Sequence, residues 1–166
     1  MSSAFPFRWL LIALSILPTI SCLAPETNLG QVVHVADGDS FEIRLDGNGA
    51  VVKVRLYGID APEKGQAHGN VARGFARGLL EGQQVRLQIV EKDNYGRLVA
   101  NAFLSDGRLV NHEIVKQGHA WWYRKYAPTD RQLAAFEAQA KSLKLGLWTR
   151  SNPKPPWQFR YEKRRR

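Results

Sequence analysis

Phe41-Glu42-Ile43-Arg44-Leu45-Asp46-Gly47-Asn48-Gly49-Ala50-Val51-Val52-Lys53-Val54-Arg55-Leu56 holds two alternating stretches on either side of a turn. Odd positions are apolar from Phe41 to Leu45 and even positions from Val52 to Leu56, the period of two expected of half-buried strands. Asp46-Gly47-Asn48-Gly49 between them is a hairpin signal. Working outward, Gln31 to Val35 precedes this hairpin as a third strand. Val85 to Val90 and Leu98 to Leu104 form a second alternating pair, separated by Asp93-Asn94-Tyr95-Gly96. Five short strands with polar turns predict a small barrel or sandwich.

Helical spacing appears between and after the strands. Gly69 to Glu81 places Val71, Phe75 and Leu79 at i, i+4 and i+8 before Gly82. Asn111 to Gln117 reads as a short helix closed by Gly118. A third is expected to start at Thr129, whose spacing to Gln132 fits a capping box, with Leu133, Phe136, Ala140 and Leu143 as its stripe. The predicted class is α+β, a β-barrel core with about three helices.

Charge is unevenly placed. The chain has 166 residues and a net charge of +9, and 44% of it is apolar, enough for one ordinary core. Residues 150–166 hold seven basic groups against Glu162, whereas 23–149 carry 16 basic and 14 acidic groups. A polyanionic partner is implied, nucleic acid or a membrane surface. The basic tail, 151–166, interleaves Trp157, Phe159 and Tyr161 with cations, and Pro153, Pro155 and Pro156 are expected to prevent a continuous helix through it. Two readings stand: the tail binds phosphates and bases, or its Trp packs on the domain.

Residues 1–24 carry Arg8 as their only charge, ahead of an apolar run from Trp9 to Ile20. This reads as a signal peptide, with a membrane anchor or core helix as alternatives. Cys22, the only cysteine, stands where a bacterial lipoprotein would be lipidated, so export with ordinary cleavage and export with a lipid anchor are both open. A single cysteine excludes an internal disulfide framework and a Cys-rich zinc module.

By parity Asp39 starts the Phe41 strand on its core side, and an acid there needs a partner. Lys53 and Arg55 share the outward face of theirs, and Arg55 is followed within eight residues by Asp60 and Glu63, around Gly58 and Pro62. Three carboxylates and an arginine thus gather at neighbouring strand ends. Oxygen-only donors favour Ca²⁺ or Mg²⁺ over zinc; the competing reading makes Asp37, Asp39 and Asp60 turn residues bonded to local backbone. With Arg97, these residues supply the parts for phosphodiester cleavage: a metal, a base and guanidiniums.

Asp37-Gly38-Asp39-Ser40, Val54-Arg55-Leu56-Tyr57-Gly58-Ile59-Asp60-Ala61-Pro62-Glu63 and Asp93-Asn94-Tyr95-Gly96-Arg97 resemble, in order, the signature segments of the thermonuclease (staphylococcal-nuclease-like) family. The likeness continues through Gly118-His119-Ala120-Trp121 and Gly146-Leu147-Trp148, and Pro155-Pro156-Trp157 resembles the exported bacterial branch. It implies a five-stranded OB-fold nuclease domain over 25–150 that cuts DNA and RNA with Ca²⁺. Asp39 and Asp60 would ligate the ion, with Ala61 through its backbone carbonyl, and Glu63 would be the general base. Arg55 and Arg97 would clamp the phosphate, and Asp37 would order the site. Tyr95, Arg124 and Tyr126 fall at or beside nucleotide-contacting positions. A monomer, exported to a bacterial envelope or its surroundings, is the expected form. The rival is an inert OB-fold module that only binds nucleic acid, against which the clustered acids argue.

His68 lies close to Glu63, but the reading of a loop or helix-start residue is preferred to that of a base. Trp121 and Trp122 are expected to be a core ring and a half-exposed neighbour.

Overall fold

The computed structural model describes residues 28–165. The expected signal segment 1–24, with Cys22, lies outside them. No helix among the described residues is long and apolar enough to cross a membrane.

Five strands close into a barrel: β1 (Leu29–Val35), β2 (Ser40–Leu45), β3 (Val51–Leu56), β5 (Gln84–Lys92) and β6 (Leu98–Leu104). The order around it is β1-β2-β3-β6-β5 and back to β1, the OB-fold. β2 and β3 form the expected antiparallel hairpin, with Phe41 opposite Val54 and Ser40 opposite Arg55. β3 and β6 run parallel, Val54 beside Leu98 and Arg55 beside Val99. β1 closes on β5 through Gly30 and Val85. Bulges at Val32/His34 in β1 and Ile89/Glu91 in β5 add the bend that a small closed barrel needs.

The interior is filled by the residues that alternation selected: Val32, Phe41, Ile43, Val54, Leu56, Val85, Leu87, Ala100 and Ala102 are all buried. Two short strands stand outside the barrel, β4 (Ile59–Asp60) and β7 (Trp121–Trp122), paired with Asp60 opposite Trp121. This pair lifts Asp60 onto a fixed ladder instead of a loop. Trp121 is buried and Trp122 half-buried, its indole N–H donating to the Ala127 carbonyl.

Helices α1 (Gly69–Leu80), α2 (Val110–Lys116) and α3 (Arg131–Ser142) fall where spacing predicts them, but two details differ. The buried face of α1 is Ala72, Ala76 and Leu80, while Val71 is exposed and Phe75 and Leu79 are half-buried. Close approach is the reason. A Cβ on Gly38 would stand 2.7 Å from the Ala61 Cβ and 3.1 Å from the Ala72 Cβ, so the helix presses its small residues on the Asp37–Asp39 turn. α3 is capped by Asp130, not Thr129: the Asp130 carboxylate accepts from the Leu133 amide at 2.9 Å, a bond open to an aspartate in that position.

A fourth helix, α4 (Pro156–Arg164), follows a 3-10 turn over Gly146–Thr149. The prolines break the chain only upstream of it. Pro156 occupies the first helical turn, where its missing N–H is no loss. Of the two readings of Trp157, packing is the one found: its ring stacks on Tyr123 and meets Trp121 edge-on.

Candidate active site

The ends of β2, β3 and β4 bring together Asp39, Arg55, Asp60, Ala61 and Glu63. Asp39 is buried, and three donors satisfy its carboxylate. The Ser40 hydroxyl donates to Oδ1 at 3.0 Å, Arg55 Nη1 donates to the same oxygen at 3.0 Å, and the Ala61 amide donates to Oδ2 at 2.6 Å. The Asp39 amide in turn donates to Asp37 Oδ1 at 3.0 Å. Burial, and then the charge of Asp39, push the Asp37 carboxyl up to about 7.

Asp60 is fully buried and takes guanidinium hydrogens on both oxygens. Arg55 Nη2 lies 2.8 Å from Oδ1. Burial raises the Asp60 pKa, while the hydrogen bond from Arg160 and the charge of Arg55 act the other way. Arg55 is held still more firmly protonated, chiefly by Asp39. Its fork spans the two acids, so β3 carries the brace between β2 and β4.

Arg160, from α4, is the residue that sequence reasoning passed over. Its Nη2 is 2.7 Å from Asp60 Oδ2, and its Nη1 is 3.1 Å from Asp60 Oδ1 and 2.6 Å from Glu63 Oε1. The hydrogen bond to Asp60 leads the influences that hold Arg160 protonated. Pro155-Pro156-Trp157 followed by an arginine was its signal, since proline at a helix start and one anchoring ring define where that arginine points.

The segment carrying Glu63 is tied down as well. The Glu63 amide donates to Gln66 Oε1 at 3.0 Å, and Gln66 Nε2 donates to the Lys154 carbonyl at 2.6 Å, joining this loop to the approach of α4. Gly69 follows so tightly that a Cβ there would collide with the Glu63 carbonyl. His68 precedes α1 as a helix-start residue, and its Nε2 lies 3.0 Å from His119 Nδ1.

Arg97 is not joined to the acid cluster. Its Nε donates to Asp93 Oδ2 at 2.8 Å and its guanidinium stands 5.5 Å from the Tyr95 ring centroid. It directly precedes Leu98, the neighbour of Val54, and by parity shares the outward face with Val99, the neighbour of Arg55. Tyr95 is 85% exposed beside it. Arg124 lies over the Trp122 ring, 3.7 Å from Glu137, and Tyr126 meets Tyr123 edge-on while its carbonyl accepts from the Tyr57 hydroxyl at 2.8 Å. These two flank the stack that seats Trp157.

The donor chemistry suits a hard cation: buried carboxylate oxygens that already demand positive charge, with no sulfur nearby. Yet among the described residues no three acidic, histidine or cysteine side chains are arranged to hold an ion as they stand. The guanidinium of Arg160 takes up both Asp60 and Glu63.

A family model described as staphylococcal nuclease homologue matches residues 53–150. A protein of Escherichia coli O157:H7 named "Uncharacterized endonuclease" is 39% identical over 134 residues, which is 81% of this chain and 86% of that protein. One of Haemophilus influenzae with the same name is 39% identical over 152 residues, 91% of this chain and 83% of its own. A "Micrococcal nuclease" of Shigella flexneri is 37% identical over 140 residues, 79% of either chain.

Proposed function

Because the chain belongs to the staphylococcal nuclease homologues, and is a nuclease, we propose that it hydrolyses DNA and RNA strands with Ca²⁺ at the Asp39–Asp60–Glu63 cluster. The observation that carries this reading is the convergence of two buried carboxylates and a half-exposed one on a brace of guanidiniums, at the rim of a barrel whose interior is apolar. A barrel has no structural need for acids there.

Asp39, Asp60 and the Ala61 carbonyl would hold the cation. Bound there, it supplies positive charge against a phosphodiester and makes water a better nucleophile. Glu63 stands at the solvent edge, 38% exposed, where it takes the proton of the attacking water. Arg55 keeps donors to spare for a phosphate beyond those given to Asp39 and Asp60, since a guanidinium has five N–H bonds. Arg97 releases its half-buried pair with Asp93 to meet the phosphate from the β6 side. Together the two arginines stabilise the added negative charge as water oxygen attacks phosphorus and the ester oxygen departs. Tyr95, beside Arg97, offers a ring and hydroxyl to the neighbouring nucleotide.

Export is supported by the apolar run from Trp9 to Ile20. The test of the whole reading is degradation of denatured DNA by the purified chain with Ca²⁺ and with chelator. Cleavage that needs the ion is expected; cleavage that persists in excess chelator would overturn the cation assignment.

A further inference from the structure

The guanidinium of Arg160 and a divalent cation make claims on the same oxygens. Arg160 engages both oxygens of Asp60 and one of Glu63, while Arg55 holds Asp39 and Asp60. Counting charges decides whether both can stay. Asp39, Asp60 and Glu63 bring three negative charges, which Arg55 and one dication balance. Adding Arg160 leaves the cluster positive by one until another anion arrives.

The helix that carries Arg160 is fixed, so its side chain is the part free to move. Pro156 is buried, the Trp157 and Tyr123 rings stack at 5.4 Å, Gln66 holds the Lys154 carbonyl, and Lys154, just ahead of the helix, pairs with Glu162 on it. Arg160, Lys163 and Arg164 stand at i, i+3 and i+4, a spacing that puts them on one face. That face borders a cavity of about 360 Å³, whose lining also includes Glu63 and Lys64. A basic hollow beside a hydrolytic carboxylate fits a phosphate, and with Phe159 in its lining it also offers a ring to a base.

We propose that Arg160 alternates between two anions: the Asp60–Glu63 pair when no cation is bound, and a phosphate of the nucleic acid strand, seated in the Lys64–Lys163–Arg164 cavity, when one is. This rests on the cation reading of the site and assigns α4 a role within it. The phosphate is the one adjoining the scissile bond, since the cavity borders Glu63. Cation and strand then bind with positive coupling, because each removes a competitor of the other.

Calorimetric titration with Ca²⁺ in the absence of nucleic acid tests the first half. Arg160→Gln should bind Ca²⁺ about tenfold more tightly than the wild type, within the usual range of coupling between ligands. Arg160→Lys, which keeps the charge but not the fork, should fall between them, and Lys163→Gln should change the affinity less than about twofold. The second half is read in a Glu63→Gln background with Ca²⁺ and an uncut DNA hexamer. There Arg160→Gln and Lys163→Gln should each weaken binding and lower the slope of log affinity against log salt by about 0.7, one phosphate contact on a single strand. Unchanged or weaker Ca²⁺ binding in Arg160→Gln, or hexamer binding indifferent to both changes, would overturn the proposal and leave the cation reading standing. Absence of Ca²⁺ uptake in every variant would overturn both.

Discussion

The rings of Tyr123 and Trp157 lie parallel, 1° apart in tilt with centroids 5.4 Å apart, and this stack joins the β7 side of the domain to α4. Only 37% of Trp157 is exposed, so much of its ring is spent on that contact. Trp157→Ala is expected to cost about 1–2 kcal/mol, the scale of an aromatic pair plus part of its burial, seen as a lower urea midpoint. It should also free Arg160 from its place, so that strand binding weakens and becomes less dependent on salt, as expected for a lost phosphate contact.

Glu63→Gln removes the base and its ion pair with Arg160 but keeps the loop seated, because the Glu63 amide, not its carboxylate, meets Gln66. Turnover on denatured DNA should fall by about 10² to 10⁴-fold, the usual contribution of a positioned base. An unchanged rate in a steady-state assay would remove Glu63 from that role.

Arg55→Ala takes a guanidinium from two buried carboxylates at once, leaving Asp60 to Arg160 and Asp39 with no cationic partner among the described residues. Loss of one partner from a buried ion pair costs about 3–5 kcal/mol, and the Arg55 side chain is only 21% exposed. A marked drop in unfolding midpoint should accompany loss of activity. Arg55→Lys should recover part of the stability but little of the rate, since an ammonium cannot span Asp39 and Asp60.

Arg97→Ala should separate chemistry from stability in the opposite way. Its pair with Asp93 lies in a polar turn and such contacts contribute about 0–1 kcal/mol. Stability should therefore hold while kcat/KM falls by about 10² or more, measured on a short oligonucleotide.

Acid should weaken the fold through His119. Burial first, and then the charge of His68, hold the His119 pKa down at about 4 against an ordinary 6.5. The unfolded chain therefore binds this proton at a higher pH than the folded one. The contribution is fully present above about pH 6.5 and is lost as pH falls toward 4. His119→Phe, which keeps a ring against Phe75, should flatten that part of a stability-against-pH curve measured by denaturant unfolding.

Local alternation was enough to place the hairpin, the apolar lining and the unusual parity of Asp39, because each is a property of a few consecutive residues. The parallel contact of β3 with β6 is not, since Val54 and Leu98 are brought together only by closure of the barrel. The α1 face differs from the periodic one for a related reason: hydrophobicity selects Val71 and Leu79, but the approach of Gly38 and Ala61 selects small Ala72. Asp37, Asp39, Asp60 and Glu63 were legible as a set, whereas Arg160 was hidden by prolines that read as helix breakers and act here as a helix start. His68 and His119 gave no hint of each other across 51 residues.

The amide of Ala61 points at a buried carboxylate from 2.6 Å, between a turn that cannot accept a Cβ and the paired strands β4 and β7. A proton so placed is strongly deshielded, and it trades with solvent deuterium only when the Asp37–Asp39 turn parts from Ala61. One low-field line in a proton–nitrogen spectrum therefore reads out, residue by residue, whether the loop bearing one acid is still seated on the ladder bearing the other.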